Sequence, residues 1–277
     1  MTAVDTQTAR VVVDMPEHEY HAHRALSSSG ARKLLANPAK FRYAQTAPPE
    51  HQDYFDIGSA AHAKVLGVGA PIEVIDYPDW RTKAAKEAKE AAYAAGRIPL
   101  LPADAQRVDE MAEALLANPI ARALLEQGTP EVSAFWTDER TGIECRCRWD
   151  LQPPEGVRAW CDYKTSASAD PKAFGASAAR YGYDFQAAWY LWGARELGLA
   201  GRNAAFVFLV QEKEAPYLVS TVQLDAQAMR IGEEKCRAAL ALYAQCIETD
   251  TWPGYPVEIV QVGLPVWAVR EWEDQYA

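Results

Sequence analysis

Three charged residues near the middle of the 277-residue chain could do chemistry together: Asp150, Asp162 and Lys164. Asp162 and Lys164 lie two apart in a segment that reads as a strand, so both side chains project from one face. Asp150 ends the preceding strand. Two carboxylates converging at a sheet edge supply the hard oxygen ligands that Mg²⁺ takes, with waters completing an octahedron. Such an ion polarises a phosphate oxygen and activates water. The lysine can orient that water, help deprotonate it, or neutralise charge on a transferring phosphoryl group. Alone, D-x-K is also a common exposed charge pair. A tight turn over Pro153-Pro154 would set Arg146, rather than Asp150, opposite Asp162, so convergence requires a bend or splay.

The elements that must position these residues follow from periodicity. Ser27-Ser28-Ser29 before Gly30-Ala31-Arg32-Lys33-Leu34-Leu35 reads as an N-cap and a short helix ended near Asn37-Pro38. A second helix is expected from Ile57 to Leu66 with Gly67 as its stop, a solvated one over 80–96, and another from Ala103 to Gln127 closed by Gly128. The period then changes to two. Glu131–Thr137, Ile143–Leu151 and Val157–Lys164 read as strands, the last two joined by a turn over Gln152–Gly156. Pro171–Gly182 reads as a loop or short helix, and Tyr183–Leu197 as a long aromatic-rich helix. Two further strands are expected at Ala204–Val210 and Tyr217–Leu224, and a helix at Asp225–Glu248. This order predicts an α/β (mixed α+β) fold, a central mixed sheet flanked by helices. Residues 1–23, with His18, His21 and His23, are expected to be a flexible lead-in, and 24–277 one domain.

Composition bounds the rest. At 49% hydrophobic and 24% charged the chain is globular, and its length supports a full core. A net charge of −10 argues against a protein that coats nucleic acid. From His23 to Tyr43, however, Arg24, Arg32, Lys33, Lys40 and Arg42 stand without a single Asp or Glu, as suits a grip on DNA at one place or a solvated helix face. The longest apolar runs are too short to span a bilayer, and no charged start precedes a long apolar run. A cytoplasmic location is expected. No Gly-x-x-x-x-Gly-Lys-Ser/Thr occurs, so no ATP use is expected.

Five segments in order resemble a known family: Gly58-Ser59-Ala60-Ala61-His62, Glu131, Arg148-Trp149-Asp150, Asp162-Tyr163-Lys164-Thr165 and Gln186-Ala187-Ala188-Trp189-Tyr190. The series resembles PDDEXK nucleases of the RecB/RecE type, and most of all the phage RecE-like exonucleases (exodeoxyribonuclease VIII). The likeness spans roughly residues 24–250 and includes the Ser27–Tyr43 stretch. It implies a restriction-endonuclease-like core and divides the roles by position. Catalysis falls to Asp150, Asp162 and Lys164. Metal binding falls to His62, Asp150, Asp162 and the Tyr163 main chain. DNA contact falls to Gln186 and Tyr190, with Arg148 and Arg32 as further candidates. Glu131 matches an acid that precedes the second motif. The second acid is Asp where the family pattern has Glu, which preserves the carboxylate. Nitrogen is a poor Mg²⁺ ligand, so a direct His62 bond would extend tolerance to Mn²⁺.

The resemblance further implies a magnesium-dependent exonuclease digesting double-stranded DNA ends 5′-to-3′ and leaving 3′ single strands for phage-type recombination in a bacterial host. It implies a single-strand annealing protein as partner and a ring-like homo-oligomer. Some RecB-type relatives hold an iron–sulfur cluster, but the five cysteines here lack the spacing, and none is expected. The alternatives are an endonuclease or other end specificity, a non-catalytic DNA-end-binding module on the same fold, and a sugar hydrolase using two carboxylates.

Overall fold

The computed structural model describes residues 9–47 and 57–276. The chain runs β1 (Ala9–Val12), α1 (Glu17–Ala22), β2 (Leu26–Ser27), α2 (Ser28–Ala36), α3 (Pro38–Thr46), α4 (Ile57–Leu66), β3 (Ile72–Val74), α5 (Lys83–Ala94), β4 (Ile98–Leu100), α6 (Pro102–Ala117) and α7 (Pro119–Gln127). Then come β5 (Thr129–Thr137), β6 (Glu144–Gln152), β7 (Ala159–Ser166), α8 (Pro171–Tyr181), α9 (Tyr183–Glu196), β8 (Ala205–Glu212), β9 (Val219–Gln223), α10 (Ala226–Thr249) and α11 (Val266–Tyr276). The expected mixed sheet flanked by helices is present. Its main path is β1-β5-β6-β7-β8-β9, with β2 added to β6, and β3 and β4 form a small separate sheet.

The central device is a fork. β5 and β6 pair antiparallel over most of their length, and β7 and β8 pair parallel over eight positions. Between them, β6 and β7 share one ladder pair, Leu151 with Cys161. Further along β6 the place of β7 is taken by β2, which pairs in parallel through Leu26–Cys145 and Ser27–Arg146. Register answers the difficulty posed by the Pro153-Pro154 turn. The connection is longer than a tight hairpin and turns at Gly156 (φ 84°), so Asp150 and Asp162 are the next positions beyond the Leu151–Cys161 pair. Trp149 and Leu151 would share a face on a flat strand but pack in different apolar clusters, which marks a strong twist at Asp150.

Helix α9 crosses the fork. The Trp189 indole N–H donates to the Arg146 carbonyl at 2.9 Å, and the Trp149 indole N–H to the Tyr190 carbonyl at 3.2 Å. Trp189 is fully buried, so its ring is core, not a base-stacking surface. On the other side of the sheet, α4, α6 and α7 pack through Ala61, Met111, Leu115 and Ala121 against Leu151, Tyr163 and Leu209.

Several boundaries differ from expectation. The single helix expected over 103–127 is two, because Pro119 lacks the N–H that would continue it and Asn118 caps the second by accepting from Ile120 and Ala121. Asn37-Pro38 both ends α2 and starts α3, with the Asn37 side chain accepting from the Lys40 N–H. Within the lead-in expected to be flexible, residues 9–12 pair with β5 as an edge strand, and α1 buries Tyr20 beneath Arg146 and Arg148.

Candidate active site

The fork opens into a cleft of about 1050 Å³ whose lining includes His62, Glu131, Asp150, Tyr163, Lys164 and Tyr190. His62 comes from α4, whose small residues Ala60 and Ala61 are fully buried and let the helix approach β7 closely. Its Nε2 lies 3.1 Å from Asp150 Oδ2, and its Nδ1 lies 3.7 Å from Glu131 Oε1. Glu131 sits on β5 between the pairs Pro130–Leu151 and Val132–Trp149, and so across from Asp150. Its φ of 50° places a non-glycine residue in the left-handed region, at a cost of about 1–2 kcal/mol. Strain of that kind persists where surrounding contacts over-determine it. Arg148 makes such a contact, with its Nε 3.8 Å from Glu131 Oε2.

Asp162 lies deeper, 1% exposed. Its Oδ2 is ion-paired with Lys164, and its Oδ1 accepts from the Gln186 amide at 2.6 Å. Asp150 in turn accepts from the Tyr163 N–H at 2.9 Å. The carboxylates are thus bridged through the backbone of β7 as well as by proximity. The Tyr163 ring turns to the opposite side, where its hydroxyl donates to Gln211 at 2.6 Å, and Gln211 donates to the Met111 carbonyl.

The electrostatics follow from this crowding. Burial and the Asp150 charge raise the Asp162 pKa, with Lys164 working in the opposite direction. Burial acts against ionised Asp150 too, but His62, Lys164 and the Tyr163 N–H outweigh it and hold the carboxyl below its ordinary value. Burial and Asp150 raise Glu131. Burial disfavours a charged Lys164, but Asp162 and Asp150 overcome it and keep the side chain cationic. For His62, burial is outweighed by Asp150, with help from Glu131 and Asp162, and the imidazole is pushed up to about 9.

In the metal-free protein this gives a signed pH dependence. The raised pKa makes the His62–Asp150 contact fully stabilising below the ordinary histidine value of 6.5, and that contribution is lost as pH rises through about 9. Thermal midpoints in chelator are expected to fall between pH 7 and pH 9.5, with His62→Gln removing this component. Identical slopes for parent and variant would contradict it.

The donor set fits a divalent cation. Ligand atoms of His62, Glu131 and Asp150 all lie within 4.8 Å of one another, offering two hard oxygens and one imidazole nitrogen. Glu131, a minor candidate in the sequence, is therefore central, while Asp162 stands behind this trio, tied to Lys164 and Gln186. Of the residues expected at DNA, Arg148 and Tyr190 line the cleft, and Gln186 and Arg32 do not. Gln186 spends its amide on Asp162. Arg148 donates to the Ser133 hydroxyl and the Met15 carbonyl, and so anchors the N-terminal segment on β6. Arg32 lies against Gly182 at the α8–α9 junction rather than in the cleft lining. Tyr190 does reach the cleft, partly buried, with its ring edge-on to Phe206. Arg146, which a tight turn would have set opposite Asp162, is instead paired with Ser27 of β2. It is 8% exposed, over the Tyr20 ring at the cleft wall.

A forked mixed sheet with an acid ending one inner strand and D-x-K on the next is the architecture of a PDDEXK-type domain. The chain belongs to the family described as a PDDEXK-like domain of unknown function (DUF3799), whose model matches residues 27–261. A presumptive exonuclease from Eubacterium rectale has a similar fold, with a TM-score of 0.60 at 13% identity over 93% of this chain and 98% of that one. A phage-related exonuclease from Haemophilus somnus 129PT aligns with a TM-score of 0.31 at 17% identity, over 72% of this chain and 97% of that one. The curated proteins contain no match. Among the described residues no helix is long and apolar enough to cross a membrane.

Proposed function

We propose that this protein is a divalent-metal-dependent deoxyribonuclease that degrades double-stranded DNA from its ends, 5′-to-3′. The observation that supports it is the gathering of His62, Glu131 and Asp150 within ligand distance of one another, beside the Asp162–Lys164 pair, in one open cleft. A bound Mg²⁺ or Mn²⁺ supplies Lewis-acid polarisation of a phosphate oxygen and of water. The chain's own groups do the rest. Glu131, Asp150 and His62 hold the ion. Lys164, kept cationic by Asp162 and Asp150, neutralises charge that develops on the phosphoryl group as water attacks in line and the P–O ester bond breaks. Gln186 is a positioning residue: its hydrogen bond orients Asp162, which in turn fixes Lys164.

The end specificity and polarity rest on the resemblance to RecE-like exonucleases and not on these residues themselves. The exonuclease designation of the Eubacterium rectale protein agrees with action at ends. Linear duplex labelled at either end tests the reading. With Mg²⁺ or Mn²⁺ the 5′ label is expected to be released first and closed circular plasmid to survive, and EDTA is expected to stop both digestions. Cleavage of circles would make it an endonuclease. Retention of both labels with every divalent ion would leave a DNA-end-binding module.

A further inference from the structure

The unit between α4 and α6 carries a second basic stretch. Residues 81–97 hold Arg81, Lys83, Lys86, Lys89 and Arg97 against Glu87 and Glu90, a cationic excess within a chain of net charge −10. The cleft chemistry uses none of these residues. Their frame is small: β3 pairs with β4, and Ile72, Ile98 and Leu100 pack with Ala60 of α4 and Val108 of α6. Thr82 caps α5 by accepting from the Ala85 N–H at 3.1 Å. Just before that cap, Asp79 accepts from the Arg81 N–H at 2.8 Å and from its Nε at 2.7 Å, which brackets the turn that presents Trp80.

Beside this turn is a pocket of about 360 Å³ whose lining includes Trp80, Lys89, Tyr93, Pro99 and Arg107. The Lys89 ammonium lies 5.3 Å from the centre of the Trp80 ring and 5.6 Å from that of Tyr93, close enough to be attracted by both. All three side chains are half-buried, held by packing yet reachable. Arg107 closes one wall, donating to the Lys213 carbonyl at 2.9 Å and pairing with Glu214.

The pocket shares α4 and β4 with the cleft. Gly58 and Ile98 line the cleft, and their chain neighbours Ile57 and Pro99 line the pocket. Gly96, three residues after Tyr93, also lines the cleft. A strand lying at His62 and Asp150 therefore reaches the pocket by continuing past β4. Aromatic faces beside a cation, next to a groove that takes the backbone, hold single-stranded nucleic acid without reading its sequence. Every base has a π-face and every phosphate a negative charge. A duplex cannot use such a place, because its bases are already stacked and paired. The volume suits one nucleotide, since small-molecule sites run upward from about 300 Å³.

We propose that this pocket is a subsite for one unpaired nucleotide of a DNA strand that continues into the cleft. The base stacks on Trp80 and Tyr93, and Lys89 leaves the rings to pair with the phosphate. The choice of DNA rests on the nuclease reading; the stacking does not. On that reading the subsite engages a strand only once it has parted from its complement.

Fluorescein-labelled oligothymidylate of about twelve nucleotides, followed by anisotropy in EDTA, tests the subsite without hydrolysis. Trp80→Ala is expected to weaken binding by about 5- to 150-fold, the loss of one stacked base. Trp80→Phe should recover most of that loss, which separates stacking from a misfolded turn. Lys89→Gln should lower the slope of log K against log salt by about 0.7, the share of one phosphate. Trp267→Ala, which removes an exposed ring outside the pocket, should change neither quantity. Unchanged affinity in Trp80→Ala would overturn the subsite, as would a parent that leaves the oligonucleotide unbound at about 100 µM. The two readings fail separately. A parent that digests linear duplex while its Trp80→Ala variant binds normally keeps the nuclease and loses the subsite. A parent that digests nothing but binds the oligonucleotide through Trp80 keeps the subsite and loses the nuclease.

Discussion

Asp150→Asn is expected to remove metal-dependent DNA hydrolysis, lowering the rate on the order of 10³-fold or more. Asp150 belongs to the metal-capable trio, contacts His62, and accepts the Tyr163 N–H that ties β6 to β7. Asparagine keeps the volume and one oxygen acceptor for that N–H, so the fork should survive while the charge is lost. Two measurements check this. Mn²⁺ binding, followed by electron paramagnetic resonance, should weaken sharply, and the far-UV spectrum should not change. In the metal-free variant His62 loses its principal counter-charge, so its NMR titration should move down from about 9. Digestion within tenfold of the parent would remove Asp150 from the chemistry.

The largest effect on stability is expected from Gly232→Ala. Gly232 lies inside α10 where the helix crosses α9, and an added Cβ would stand 2.2 Å from the Asp184 carbonyl oxygen and 2.7 Å from its carbon. Both atoms are backbone, so no side chain can swing aside, and the helices must separate. Alanine would add up to about 1 kcal/mol of helix propensity. Overpacking outweighs it, at about 3 kcal/mol. The net of about 2 kcal/mol should then lower the thermal midpoint by roughly 4–8 °C for a chain of this size. Opening this crossing also disturbs Lys235, whose Nζ donates to Asp184 at 2.6 Å, and Gln186 one half-turn further on. Gly175→Ala is the control. It lies within α8 with nothing inside 4 Å of the added carbon, and should raise stability by about 0.5–1 kcal/mol. Equal midpoints for the two variants would mean the α9–α10 contact yields without cost.

Much of the frame was legible because its periodicity is strong. Strands β5 to β8 and helices α4, α9 and α10 fall close to their expected places, since alternating or 3.6-spaced apolar residues leave few other solutions. What escaped has physical reasons. A two-residue strand such as β2 carries no pattern, and its pairing with β6 depends on the vacancy that the fork leaves. Edge strand β1 and helix α1 are held by long-range partners, Trp136 to Ser133 for the strand and the paired arginines over Tyr20 for the helix. In the site, the residue types at Asp150, Asp162 and Lys164 were readable, but their division of labour was not. Glu131 gains its place from antiparallel register and a left-handed backbone. Gln186 was assigned to DNA on motif likeness, while the geometry aims its amide at Asp162. A motif names residues; only packing tells which way a side chain faces.

The bridging of the fork by α9 bears on how the chain is made. Elongation runs from the N-terminus at about 5–20 residues per second, so β6 and β7 are synthesised before Gln186 and Trp189 exist. A truncated product ending before α9 carries all of the acids and Lys164. It lacks the indole bonds that span the fork and the amide that orients Asp162. Interrupted translation then yields chains that carry the acids and Lys164 without the arrangement that α9 imposes on them.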